Sequence, residues 1–223
     1  GDRRSPRLDE SLTCPTVCFN HTVKPSGLIL TKSTLDKILD AAIIEFAQHG
    51  YAGATVEQIA RTAGVNKAAL YYHVGNKEAL YERVLSHKLS TAADTIEGSL
   101  DQARDGRDAL IRLVDGLAQH FTLRPLMPRI MVQELARGGD NLSPLILAQM
   151  ARLIACSKRV SAMAAEESSV SIAPLALHIS LLAPLAFHAL SSHARERAAA
   201  LPIAQSLDLD LSMLEWAHGR FHP

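Results

Sequence analysis

Residues 55–77, TVEQIARTAGVNKAALYYHVGNK, concentrate the groups of this chain best suited to binding a polyanion. Lys67, Tyr71, Tyr72 and His73 follow one another on a segment too short to be a stable helix alone. From Gln58 to Lys77 there is no Asp or Glu, whereas Arg61, Lys67 and Lys77 are present. The strip is therefore locally positive in a chain whose 23 basic and 23 acidic residues cancel. Adjacent phenols and an imidazole beside an ammonium group suit a flat, polar, anionic surface, and DNA is such a surface. Because the whole chain exerts no bulk electrostatic pull, this strip and its repetition in a dimer must supply the affinity.

The elements that would position these groups are written in local signals. Thr55 caps a first short helix and Gln58 completes a capping box, with Val56, Ile59, Ala60 and Ala63 on its inner face. Gly64 supplies a left-handed turn. Asn66 caps a second helix to about Val74, with Val65, Ala69 and Leu70 inward and Lys67, Ala68, Tyr71, Tyr72 and His73 outward. Two helices joined this way are a helix-turn-helix, whose second helix enters the major groove. Lys67, Ala68 and Ala69 would meet bases, and Thr55, Tyr71, His73 and Lys77 the backbone. The full expected contact set is Thr55, Val56, Asn66, Lys67, Ala68, Ala69, Tyr71, Tyr72, His73 and Lys77. A preceding helix from about Ser33 to His49 carries the stripe Leu35, Ile38, Leu39, Ala42, Ile43 and Phe46, ends at Gly50 and backs the pair.

Thr34–Leu85 resembles the DNA-binding domain of the TetR family of bacterial one-component repressors. The resemblance lies in EFAQHGY at the end of the first helix, then T-V-x-x-I-A-x-x-A-G-V, then L-Y-Y-H-V-x-N-K-x-x-L. It implies an all-helical homodimer whose larger C-terminal domain binds a small molecule and on doing so releases an operator. It also implies that the helix opened by Asn76 or Lys77, running to about Ile96, carries the ligand signal. Beyond Leu89 only general architecture matches. Val74 stands where most members carry an aromatic residue, and Glu57 stands where some members contact a base. A glutamate there either accepts from a cytosine amino group or faces solvent, and solvent is the favoured reading.

Composition agrees with helix packing: 48% of residues are hydrophobic but only 4% aromatic, so the core is built from Ala, Leu, Ile and Val. The expected fold is all-α, a three-helix helix-turn-helix domain at 31–78 followed by a larger helical ligand-binding and dimerisation domain at 79–223. Residues 1–30, broken by Pro6, Pro15 and Pro25, read as a flexible arm. Cys14, Cys18 and His21 fall short of the four ligands a structural zinc site wants, so no metal is expected. Arg3, Arg4 and Arg7 are nearly offset by Asp2, Asp9 and Glu10. Three cysteines without a framework, and no leader of the secretory type, point to the cytoplasm.

The C-terminal half alternates caps and apolar stripes: a helix after Asp105-Gly106 ended by Arg124-Pro125, a short one from Pro128 to Arg137, and a long one from Ser143-Pro144 to about Ala165. Phe121, Met127, Met131, Leu147, Met150 and Phe187 are candidates to line an effector cavity, since thioethers adapt to apolar ligands. His120 and Arg124 would orient a polar end. Ser168–Ala194 contains no Asp, Glu, Lys or Arg, but Pro174, Pro184, His178 and His188 argue against a membrane span. An all-round apolar helix is covered all round, so 168–192 and a last helix near 207–221, with Leu211, Leu214 and Trp216, are expected to form a dimer seam. The ten histidines read as core or surface groups, and neither an enzyme nor a cofactor is expected. The expected partners are double-stranded operator DNA, a small-molecule effector and a second copy of the chain. An effector-independent architectural DNA-binding protein is the alternative.

Overall fold

The computed structural model describes residues 32–123, 126–167 and 172–199. All regular structure among them is helical: α1 (Thr34–Gly53), α2 (Val56–Ala63), α3 (Lys67–Val74), α4 (Lys77–Leu100), α5 (Gly106–Leu123), α6 (Leu126–Ala136), α7 (Pro144–Glu167), α8 (Pro174–Leu190) and α9 (Ser192–Ala199). The expected all-α class holds. The region expected to be an arm, with Cys14, Cys18 and His21, and the expected helix near 207–221 lie outside the described residues. No described helix is long and apolar enough to cross a membrane.

Local chemistry accounts for the boundaries. Ser33 accepts from the Asp36 amide at 3.1 Å while the Asp36 carboxylate accepts from the Ser33 amide at 3.2 Å, a reciprocal cap for α1. Gly50 breaks α1 with φ 67° and ψ 175°, so the expected end is a kink after which the helix resumes to Gly53. A Cβ at Gly50 would meet only the end of the flexible Arg137 side chain, at 3.0 Å, so it is the positive φ that calls for glycine there. α6 begins at Leu126, earlier than Pro128, because a proline in the first turn forfeits only an amide with no helical partner. α4 runs past the expected Ile96 to Leu100, which is buried together with Ile96.

One core runs through the described part of the chain. Ile38, Ala42 and Phe46 of α1 meet Ile59 of α2, Leu70 of α3 and Leu80, Tyr81 and Leu85 of α4, all buried. Lower on α4, Ile96 and Leu100 share the core with Leu113 of α5 and Val160 of α7. α4 packs on both α5 and α7, and α8 closes over α5, α6 and α7. Gly106 permits a close backbone approach: a Cβ there would sit 2.8 Å from the Ala164 backbone, and its amide donates to Glu167 Oε1 at 2.7 Å.

Two buried glutamates link separate helices through hydrogen bonds. Glu45 of α1 accepts from the Thr62 hydroxyl of α2 at 2.6 Å. Glu134 of α6, only 2% exposed, accepts from the Tyr81 hydroxyl of α4 at 2.9 Å and from both the backbone and side-chain nitrogens of Asn141 at 2.9 Å. Tyr81 packs edge-on against Phe46 and Tyr51, with ring centroids 4.8 and 4.9 Å away. Burial first, and the Glu134 carboxylate second, push the Tyr81 phenol far above its usual range. α6 is therefore pinned to α4 through a charge-assisted hydrogen bond, and to α1 through Gln133, whose side-chain amide donates to the Ala47 carbonyl at 3.2 Å.

Between α7 and α8, the buried Ser157 hydroxyl and His178 Nδ1 are 3.1 Å apart. Burial lowers the His178 pKa below the usual imidazole value. The folded state thus binds this proton more weakly than the unfolded state, whose histidine titrates near about 6.5. Stability linked to His178 is present above that pH and is lost as pH falls through about 6.5 toward the lower folded value. Thermal melts from pH 8 to 5 are expected to show this acid limb, and His178→Gln is expected to flatten it; an unchanged profile in the variant refutes the assignment.

Candidate nucleic-acid interface

The α2–α3 pair is held by the caps read in the sequence. Thr55 Oγ1 accepts from the Gln58 amide at 3.2 Å, and Gln58 Oε1 accepts from the Thr55 amide at 2.9 Å and its hydroxyl at 2.7 Å. Gly64 sits at φ 67°, ψ 32°, its amide shared by the Ala60 and Arg61 carbonyls. Asn66 Oδ1 accepts from the Ala69 amide at 2.7 Å and Asn76 Oδ1 from the Ala79 amide at 2.7 Å, so α3 and α4 each start at an asparagine.

Leu70 and Val74 bury one side of α3, and the opposite side is left open. Tyr72 is 86% exposed, which for a large aromatic ring on a short helix leaves it with little to hold it except a partner. Its ring lies 5.4 Å from that of His73, and Lys67 Nζ stands 5.7 Å from the Tyr71 ring centroid. Lys67, Ala68, Tyr71 and Tyr72 are exposed, Ala69 and His73 are half-buried. The His73 carbonyl accepts from the Arg83 guanidinium at 3.3 Å, tying the end of α3 to α4.

Three expected contacts stand differently. Val56 is only 8% exposed and belongs to the core, because its position on α2 faces α1; its side chain is thereby removed from the contact surface. Thr55 is exposed, but its hydroxyl is already committed to the cap. Lys77 lies over the Tyr51 ring at 4.6 Å and donates to the Ala52 carbonyl at 3.4 Å, and partial burial lowers its pKa. Its charge is held at the foot of α4 by Tyr51. Glu57, favoured above as solvent-facing, is exposed, and it is also ion-paired with Lys67 across the two helices. That hydrogen bond holds the Glu57 carboxyl below its usual range and the Lys67 ammonium above its own. Nothing in the local sequence announces the pair, whose members are ten positions apart.

The proposed effector residues scatter. Met127 is buried in the core, while His120, Phe121, Met131 and Met150 are half-buried at the faces of α5, α6 and α7. Leu147 and Phe187 are 48% and 73% exposed. They are corrected from cavity lining to surface positions, since the first turn of α7 and the outer face of α8 point away from the protomer's core. Arg124 lies outside the described residues. Among the described residues no group of three His, Cys, Asp or Glu could hold a metal ion.

Comparison with known proteins bears on the same segment. The family described as "Bacterial regulatory proteins, tetR family" matches residues 38–84. The chain is 39% identical over 93 residues to the HTH-type transcriptional repressor SCO4008 of Streptomyces coelicolor, a match covering 37% of this chain and 48% of that relative. The chain thus spans about half the length of that relative. It superposes on PfmR, a TetR family transcriptional regulator from Thermus thermophilus, with a TM-score of 0.58 and 25% identity, covering 72% of this chain and 86% of the other. The fatty acid degradation regulator FadR of Bacillus halodurans shares the fold, with a TM-score of 0.61 at 20% identity over 82% of this chain and 95% of its own. The helix-turn-helix with these caps, this turn glycine and this open α3 face thus lies within the segment, residues 38–84, that matches the TetR family of bacterial regulatory proteins.

Proposed function

We propose that the chain is a cytoplasmic repressor that binds a palindromic operator as a homodimer and lets go when a small, largely apolar effector occupies its C-terminal domain. The observation that carries DNA binding is the exposure of Tyr72 and Lys67 on a helix whose opposite side is locked into the core by Leu70 and Val74. The reading divides the chain at residues 31–78 for the operator and 79–223 for effector and partner copy. Lys67, Ala68, Ala69, Tyr71, Tyr72 and His73 face the DNA, with Asn66 and Thr55 presenting the helix N-termini to phosphates. The half-buried His120, Phe121, Met131 and Met150, with Arg124, remain the candidates for contact with an effector. A relative named as a repressor supports the sign of regulation.

Pairing through α8 is supported by its outer face, where Leu175, Ile179 and Phe187 are exposed in a helical row. Symmetric pairing would set two α3 helices roughly 34–36 Å apart, one turn of B-DNA. Phe187→Glu is expected to convert a dimer to monomers in sedimentation velocity and to weaken operator binding with it. A dimer that survives the charge would place the seam elsewhere. Selection of duplexes from a random pool tests the central claim: enrichment of an inverted repeat supports it, and absence of any sequence preference favours an architectural role.

A further inference from the structure

Glu57 is the only carboxylate on α2 or α3, and it stands on the face proposed to meet a polyanion. There it repels phosphate, so its presence needs a compensating use. Stability does not supply one, because an exposed ion pair contributes little. Both partners keep more than half of their side-chain surface open, 61% for Glu57 and 52% for Lys67, so their outward edges remain available. Lys67 is the first residue of α3, the end from which a recognition helix reaches base edges.

We infer that Glu57 and Lys67 act as one specificity unit that reads a single G·C pair in the major groove, the ammonium group donating to guanine O6 and N7 and the carboxylate accepting from cytosine N4. This rests on the DNA-binding reading above and goes beyond it. The chemistry is one of matching edges. A donor held beside an acceptor is complementary to the major-groove edge of a G·C pair, where the guanine O6 acceptor stands beside the cytosine N4 donor. An A·T pair also sets a donor beside an acceptor. It offers the lysine only thymine O4, crowded by the 5-methyl group, where guanine offers two acceptors on one base. The ion pair also orients both side chains before DNA arrives, which reduces the ordering cost of binding. On this account the carboxylate lowers affinity for DNA in general and returns it only at one base pair.

The test is duplex selection from a random pool by the full chain and by Glu57→Ala, followed by competition titrations on the selected site. The wild type is expected to enrich an invariant G·C pair at one position of each half-site. Glu57→Ala is expected to lose roughly tenfold of the preference for that pair over A·T, keep its other preferences, and bind random duplex more tightly. Glu57→Gln is expected to move the preference toward A·T, since a carboxamide pairs with adenine N6 and N7. Identical selected sequences from wild type and Glu57→Ala would overturn the inference while leaving the DNA-binding reading intact. An A·T pair at the Glu57-dependent position would do the same. Failure of the wild type to enrich any duplex would overturn both.

Discussion

Replacing Lys67 and Tyr72 together by alanine is expected to reduce operator affinity roughly a thousandfold or more, to the level of non-specific binding. A lysine on a guanine edge discriminates by about 1–3 kcal/mol, and a dimer loses the contact in both half-sites. Loss of the exposed Tyr72 ring adds the packing and backbone contacts it would make. The fold should not notice, because neither side chain belongs to the core and surface changes of this kind cost about 0.5 kcal/mol or less. Anisotropy titration at fixed salt, beside a thermal melt, checks both halves of the statement. Affinity within a few fold of the wild type would remove α3 from the interface.

The second large effect concerns folding. Glu134→Ala is expected to destabilise the protein by about 3–5 kcal/mol, because the Tyr81 hydroxyl and the Asn141 nitrogens lose a buried charged acceptor at one stroke. For a chain of this size that corresponds to a thermal midpoint lowered by roughly 10 °C. Tyr81→Phe keeps the carboxylate and removes one of its donors, so the loss is smaller, about 1–3 kcal/mol. The two differ at high pH. Since the folded pKa of Tyr81 is raised above the unfolded value of about 10, the folded state keeps a proton that the unfolded state releases. Stability linked to it is complete below about pH 10 and lost as pH climbs toward the folded value. Urea melts between pH 8 and 11 should show a steeper alkaline decline for the wild type than for Tyr81→Phe. Tyr51, whose phenol is also raised by burial and by nearby Glu78, leaves a residual slope in both.

What could be read from the chain without coordinates was what is written locally. The Thr55–Gln58 box, the Asn66 and Asn76 caps and the left-handed Gly64 involve residues at most four apart, and each acts as its type predicts. Glu134 was invisible for the opposite reason. In LMPRIMVQELA a glutamate reads as a solvent position, and its partner Tyr81 lies 53 residues away. The Glu57–Lys67 pair is of the same kind. Val56 shows a subtler limit, since its inner-face position on α2 was legible and its burial follows, yet the motif it belongs to drew it into the contact set. On α8 the sequence is apolar on every side, so periodicity carries no information about which side is covered; Phe187 became a surface residue only when the neighbours were placed.

The uninterrupted core along α4 has a consequence for anyone wishing to transplant the operator-reading part. Leu80, Tyr81, Val84 and Leu85 complete the packing under α1–α3, and Glu134 with Gln133 clamps that packing from α6. A chimaera spliced just after Lys77 would give the graft an open underside. A transplant that travels as a working module has to carry α4 through Leu85, and its host must furnish the acceptor for Tyr81.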